Sequence, residues 1–268
     1  MSTSKRSGST IKDDSTAARA SDPADAKSER RQRPRRRRWA IAVLLAALSI
    51  VLVYHSLILF RVLRLKSHDP ADSALMEQRA REAIALHQAP TRQQVWVQLE
   101  GVSPNLVRAV VAGEDPNFFT HSGFDREMIE NAAQENWDQK RVVRGASTIS
   151  QQLAKNLFLS TSRTPLRKLN EAVITVELEK ILGKRRILEL YLNVIEWGEG
   201  IYGAEAAAQY YFNKPAAQLS EEESAFLSAI IPSPRRNYQA ATPPDDIRER
   251  AKSILALMNA VTLPNSMK

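Results

Sequence analysis

The chain of 268 residues contains no cysteine. Disulfides, thiolate-bound zinc and a cysteine nucleophile are therefore excluded, while an oxidising compartment is permitted without being required. Histidine is scarce: there are four, and no two stand at a metal-ligand spacing. Outside the N-terminus the chain also lacks a charge imbalance. Residues 1–38 hold 12 Lys and Arg against 5 Asp and Glu, and the other 230 hold 26 against 25, so nearly all of the +8 net charge lies in the tail. The isoelectric point near 9.8 is thus no argument for a nucleic-acid-binding domain, and nucleic acid is not an expected partner. Internal repeats and βαβ alternation are absent too. What remains is mostly helical periodicity, so the expected fold class is mainly α.

Residues 1–38 are rich in Ser, Asp, Ala and Arg and contain no apolar stretch that could build a core. They are expected to form a disordered basic tail. Residues 39–60 are the opposite, apolar and without one charged residue. As a helix they span about 33 Å, enough for a bilayer core of about 30 Å. Cations are denser before this run than after it, where only Arg61, Arg64 and Lys66 follow closely. That asymmetry places the tail in the cytoplasm and the body outside. A cleaved signal peptide is the alternative; the long run and the lack of an Ala-x-Ala site favour an uncleaved signal anchor.

Residues 61–268 are expected to form the folded domain. The pattern predicts helices over 72–88, from Ser103-Pro104 to 113, over 124–137, from 167 to 182 and, past Gly183, over 184–193. Further helices are expected at 204–212, from a Ser220/Glu223 capping box to Pro232, and over 245–260 with Ile247, Ala251, Ile254, Leu255 and Met258 on one face. One short strand is expected at 95–99. Gly198-Glu-Gly-Ile-Tyr-Gly203 fits G-x-G-x-x-G but lacks a preceding strand and a βαβ context, so it reads as a chance match.

The central stretch is Gly145-Ala-Ser-Thr-Ile-Ser-Gln-Gln-Leu-Ala-Lys-Asn156. As a helix from Thr148 with Ser147 as N-cap, it puts Ile149, Leu153 and Leu157 on one side and Thr148, Gln151, Gln152 and Lys155 on the other. The polar side has no acid. It offers a hydroxyl, two amides and a cation, donors suited to phosphate and sugar oxygens, or simply a solvated surface. Glu114 ends a helix, where the backbone dipole and nearby Phe118 and Phe119 favour a raised carboxyl pKa and a general base. Taken alone it reads as a surface acid at a helix end. Glu171 follows Arg167 and Lys168 on one helical face, as an ordinary ion pair or as part of a phosphate-receiving cluster. His121 alone reads as a structural, hydrogen-bonded histidine.

Together these segments resemble the peptidoglycan glycosyltransferases, lysozyme-like enzymes that polymerise lipid II. Four stretches carry the likeness: Glu114-Asp115-x-x-Phe118-x-x-His121-x-Gly123; Gly145-x-Ser147-Thr148-Ile149-x-Gln151-Gln152-x-x-Lys155-Asn156; Arg167-Lys168-x-x-Glu171; and Lys184-x-x-Ile187-Leu188-Glu189-x-Tyr191-Leu192-Asn193. They span roughly residues 85–240, and the monofunctional biosynthetic form is the nearest match. Gly183 departs from the family, which commonly has Ser there. The only Ser-x-x-Lys spacings lie in the tail, so a transpeptidase site is absent. The resemblance implies a lysozyme-like helical domain behind one transmembrane helix, at the inner membrane with the domain in the periplasm. It implies Glu114 as base and Glu171 as the second catalytic carboxylate. Substrate-binding roles would fall to His121, Ser147, Thr148, Gln151, Gln152, Lys155, Asn156, Arg167, Lys168 and Lys184. It requires no cofactor but allows a divalent cation, Mg or Mn, near Glu171. Lipid II, a polyprenyl-diphosphate-linked glycan, membrane lipids and cell-wall synthesis proteins are the implied partners. A lysozyme-like hydrolase or lytic transglycosylase, and a non-catalytic membrane-anchored interaction protein, are the alternatives.

Overall fold

The computed structural model describes residues 23–139, 145–162, 164–236 and 238–267. Nine α-helices and three short strands are found among them. The described residues divide into two units, one ending at Tyr54 and one running from His55 to the C-terminus.

Helix α1 is Pro23–Arg64. The expected disordered tail lies outside the described residues as far as position 22, but from Pro23 the backbone is helical and continuous with the apolar run. Once the uncharged segment has nucleated a helix, the arginine-rich stretch before it can extend that helix at little cost per residue, except at Pro34, which removes one backbone donor. Arg37–Arg64, 28 residues, is long and apolar enough to cross a membrane. Trp39, Leu44 and Ile50 are exposed along it. The folded unit begins at His55 and not at residue 61, because Ile58, Val62 and Leu65 are buried in its core.

The unit from His55 onward is built on two helical layers. Helix α3, Pro104–Glu114, is capped by Ser103, whose side chain accepts from Asn105 N. Leu106, Ala109, Val110 and Val111 are fully buried, and α3 packs against α8, Glu221–Ile230, and α9, Asp245–Met258. Gly113 permits a close approach: a Cβ there would lie 2.5 Å from Ser228 Oγ and 3.0 Å from Ile254 Cδ1, so alanine would have to displace the Ser228 hydroxyl from its bond to Ala109 O or shift the helices where α3 ends. The second layer pairs α5, Ile149–Phe158, with α6, Pro165–Val194; α2, Ala74–Ala85, packs on α5. Ile149, Leu153 and Leu157 are buried as expected, contributing about 1.5–3 kcal/mol each. α6 is interrupted at Gly183, whose φ of 73° is open to glycine without strain, so the two expected helices meet there at a kink.

α4, Arg126–Asp138, and α7, Ala204–Phe212, complete the helices of this unit. The strands correct the sequence expectation. Residues 95–99 are not a strand; β1 is Gln93–Gln94, parallel to β3, Ile201–Tyr202, which pairs antiparallel with β2, Glu196–Gly198. Gln93 N donates to Gly200 O at 2.7 Å, so the register is set by a distant hairpin and not by local alternation. The G-x-G-x-x-G run forms that hairpin and the cap of α7, with Gly200 at φ 72° and Gly203 at φ 84°.

Candidate active site

Glu114 is the last helical residue of α3, and Asp115 leaves helical geometry at φ −159°, ψ 75°. Asp115 is fully buried and accepts from Ile149 N at 3.0 Å and from His121 Nε2 at 2.9 Å. A carboxylate at the first turn of α5 is favoured by that helix's dipole. It ties the end of α3 to the start of α5 and fixes Glu114 relative to Gln152 and Lys155.

α5 begins one residue later than expected. Thr148, not Ser147, is the N-cap, and Thr148 and Gln151 form a complete capping box. Thr148 Oγ1 also donates to Gly123 O at 2.7 Å. Thr148 and Gln151 are both buried. The first turn of the expected polar face is therefore spent on capping, because it is pressed against the loop that carries Asp115 and Gly123. One turn on, Gln152 and Lys155 remain to reach the site.

Glu114 is 10% exposed. Its Oε2 accepts from Gln152 Nε2 at 2.8 Å, and its Oε1 from Arg250 Nη2 at 2.9 Å. Burial pushes this carboxyl above the ordinary carboxylate range, against the hydrogen bonds from Gln152 and Arg250 and the charges of Arg250 and Lys155. The raised direction matches the expectation, and its cause is burial. Arg250, on α9, was not among the expected site residues. It also donates to Gly113 O at 3.1 Å and so holds the helix end as well as its last side chain.

Glu171 is buried, and accepts from Arg167 Nη1 at 2.5 Å and from Lys168 Nζ. Lys155 stands between the two carboxylates electrostatically. Burial lowers its ammonium pKa, Glu171 and Glu114 raise it, and Arg167 and Lys168 lower it further. Its ammonium has no hydrogen bond or ion pair among the described residues. Ser147 is half-buried and Asn156 buried, and the side chains of both are likewise unbonded there.

Four expected substrate ligands are engaged elsewhere. His121 receives Gly123 N–H on Nδ1 and meets Asp115 through Nε2, so both ring nitrogens are used within the protein. Lys184 pairs with Glu179 at 2.7 Å and lies 4.4 Å above the Phe118 ring. Thr148 and Gln151 cap α5. Gln152 is at the site, but held by protein: Nε2 bonds Glu114 and, at 3.3 Å, Ser147 O, and Oε1 accepts from Tyr191 at 2.9 Å.

The expected cation site near Glu171 has a poor donor set, since both oxygens already accept from cations and a divalent ion would meet two like charges. A different group, Asp115, His121 and Asp125, brings its ligand atoms within 4.8 Å of one another. Those atoms are committed too: Asp125 accepts from Met128 N and Asn117 Nδ2, both at 2.9 Å.

The sequence has relatives among known proteins. Residues 81–259 match the transglycosylase family model. A biosynthetic peptidoglycan transglycosylase of Nitrosomonas eutropha is 45% identical over 226 residues, 84% of this chain and 92% of the relative. Proteins of the same name from Laribacter hongkongensis and Thiobacillus denitrificans are 46% identical over 228 residues (85% of this chain, 99% of theirs) and 50% identical over 202 (74% and 85%). The helical body, the buried glutamate at the end of α3 and the cation cluster on α6 stand within a chain that belongs to the transglycosylase family.

Proposed function

We infer that the chain is a peptidoglycan glycosyltransferase of bacterial cell-wall synthesis, joining lipid II units into β-1,4 glycan strands. The observation that carries this is the pairing of a buried, raised carboxyl at Glu114 with a cation cluster of Lys155, Arg167 and Lys168. A polymerase needs a base at one end of the reacting line and an anion cradle at the other.

Glu114 takes the proton from the 4-hydroxyl of the acceptor, lipid II. The oxygen attacks C1 of the donor glycan from the face opposite the diphosphate, forming the C1–O4 bond as the C1–O(phosphate) bond breaks. C1 inverts, as in inverting glycosidases, with a sugar hydroxyl in place of water. Polyprenyl diphosphate leaves with the electron pair. Its charge falls to Lys155, Arg167 and Lys168, with the unbonded Ser147 hydroxyl and Asn156 amide as further donors. Glu171 holds Arg167 and Lys168 in place.

α6 also carries an apolar stripe that would dip into the membrane surface where the lipid substrate resides. Leu166, Leu169, Val173 and Val176 are exposed along one face of α6, while Arg167, Lys168 and Glu171 lie on the other. The uncharged helix would hold the body at the inner membrane, with the N-terminus in the cytoplasm and the domain in the periplasm. A hydrolase of similar shape would use a base and water, and would have no use for three cations beyond the second carboxylate.

The test is lipid II polymerisation by the purified full chain. Wild type is expected to build glycan polymer and release polyprenyl diphosphate. Glu114→Gln, which keeps the shape and removes the base, is expected to lose about 10³-fold or more in rate with its melting temperature little changed. Shortening of preformed glycan with no polymer made, or full activity in Glu114→Gln, would refute the reading.

A further inference from the structure

Tyr191, on α6, is fully buried and touches none of the cations of the cradle through a hydrogen bond among the described residues. Its hydroxyl donates to Gln152 Oε1 at 2.9 Å, and Gln152 Nε2 donates to Glu114 Oε2 at 2.8 Å. We propose that Tyr191 is a positioning residue that fixes the Gln152 carboxamide as a hydrogen-bond donor to Glu114 and so keeps the base ionised at working pH. The proposal rests on Glu114 being the base.

A carboxamide can present either end. In the observed orientation both Nε2 hydrogens have acceptors, Glu114 Oε2 and Ser147 O, and Oε1 has the phenol. Flipping the amide would set Oε1 against the Ser147 carbonyl and strand the phenol proton, which bonds nothing else among the described residues. A buried donor left unsatisfied is costly. The flipped amide suits only a protonated Glu114, which could then donate to Oε1. The phenol therefore selects the amide orientation that suits the carboxylate. It stays protonated to do so, because burial, followed by the charges of Glu114 and Asp115, pushes its pKa well above the ordinary phenol value. The other charged groups facing Glu114 are Arg250 from α9 and Lys155 from α5. Both favour the ionised form as Gln152 does, but neither constrains the amide.

The test is the pH profile of lipid II polymerisation for Tyr191→Phe, which keeps the ring and removes only the hydroxyl. Rate rises with pH as Glu114 ionises, so a loss of ionised base moves the acid limb to higher pH. Below the limb, Tyr191→Phe is expected to run about threefold to tenfold slower than wild type, and above it the two should converge. Gln152→Leu should move the limb the same way, and the double variant should match Gln152→Leu alone, since both act through one bond. A uniform drop at every pH with the limb in place would mean a structural role and overturn the proposal. So would additive effects in the double variant. If Tyr191→Phe fails to fold, Gln152→Leu with an unmoved limb overturns it. Full activity in Glu114→Gln would instead overturn the assignment of the base.

Discussion

The two carboxylates on either side of Lys155 are held in opposite ways. Glu114 takes its partners from far along the chain, Gln152 on α5 and Arg250 on α9, 38 and 136 residues away. Glu171 takes both of its partners from its own helix, three and four residues back. Around Glu114 one neutral donor and one cation offset burial, which leaves a carboxyl raised yet able to ionise. Around Glu171 two paired cations and the uncommitted Lys155 outnumber one carboxylate, which leaves positive charge for a ligand. One end is tuned to accept a proton, the other to accept an anion. The tuned end needs tertiary structure, since burial and a fixed amide cannot be supplied by one turn of helix.

Lys155 is the sharpest test of this division. Lys155→Gln removes the one cation of the cluster without a partner and is expected to cost about 10²- to 10³-fold in turnover, the usual scale for one preorganised charge stabiliser. Burial lowers the Lys155 pKa, so the wild-type rate should fall on the alkaline side as the ammonium loses its proton, and the variant should lack that fall. A full pH profile checks both. An alkaline limb that survives in Lys155→Gln would assign it to another group.

The same contrast decides what the sequence could reveal. Caps and helix faces are local, so Ser103, the Ser220/Glu223 box, the break at Gly183 and the buried face of α9 were all legible. The Arg167, Lys168 and Glu171 cluster was legible for the same reason, since i, i+3 and i, i+4 neighbours meet on any helix. Arg250 gave no local signal, because its partner is 136 residues away and its own helix carries a second arginine, Arg248, two residues before it. Tyr191 stood inside a recognised motif with no hint of the amide it orients. Periodicity grouped Thr148 and Gln151 with Gln152 and Lys155, but it cannot register that the loop after α3 covers the first turn of that face and turns two expected ligands into a cap.

Arg250→Gln should weaken the tuned end and leave the cradle alone. It removes a charged donor to Glu114 Oε1, so the carboxyl rises further and the acid limb moves to higher pH. Below the limb the expected loss is about tenfold to a hundredfold, the range for a hydrogen bond to a charged group, with much less above it. Donor-lipid affinity should not change. A weaker affinity with an unmoved limb would place Arg250 in the cradle and break the comparison.

The smallest effect is expected at Lys184, which family likeness placed among the substrate ligands. Its ammonium already pairs with Glu179 and lies over Phe118. Glu179 also accepts from Ser150, so it keeps one donor when the lysine is lost. Lys184→Gln should therefore cost about 1–2 kcal/mol of stability, through the lost cation–π contact and ion pair, and change turnover by less than about threefold. Thermal melting and the lipid II rate separate the two. If instead the rate falls as far as in Lys155→Gln with the melting temperature unchanged, Lys184 must leave Glu179 when substrate binds, and the cradle would extend past Gly183 onto the second half of α6.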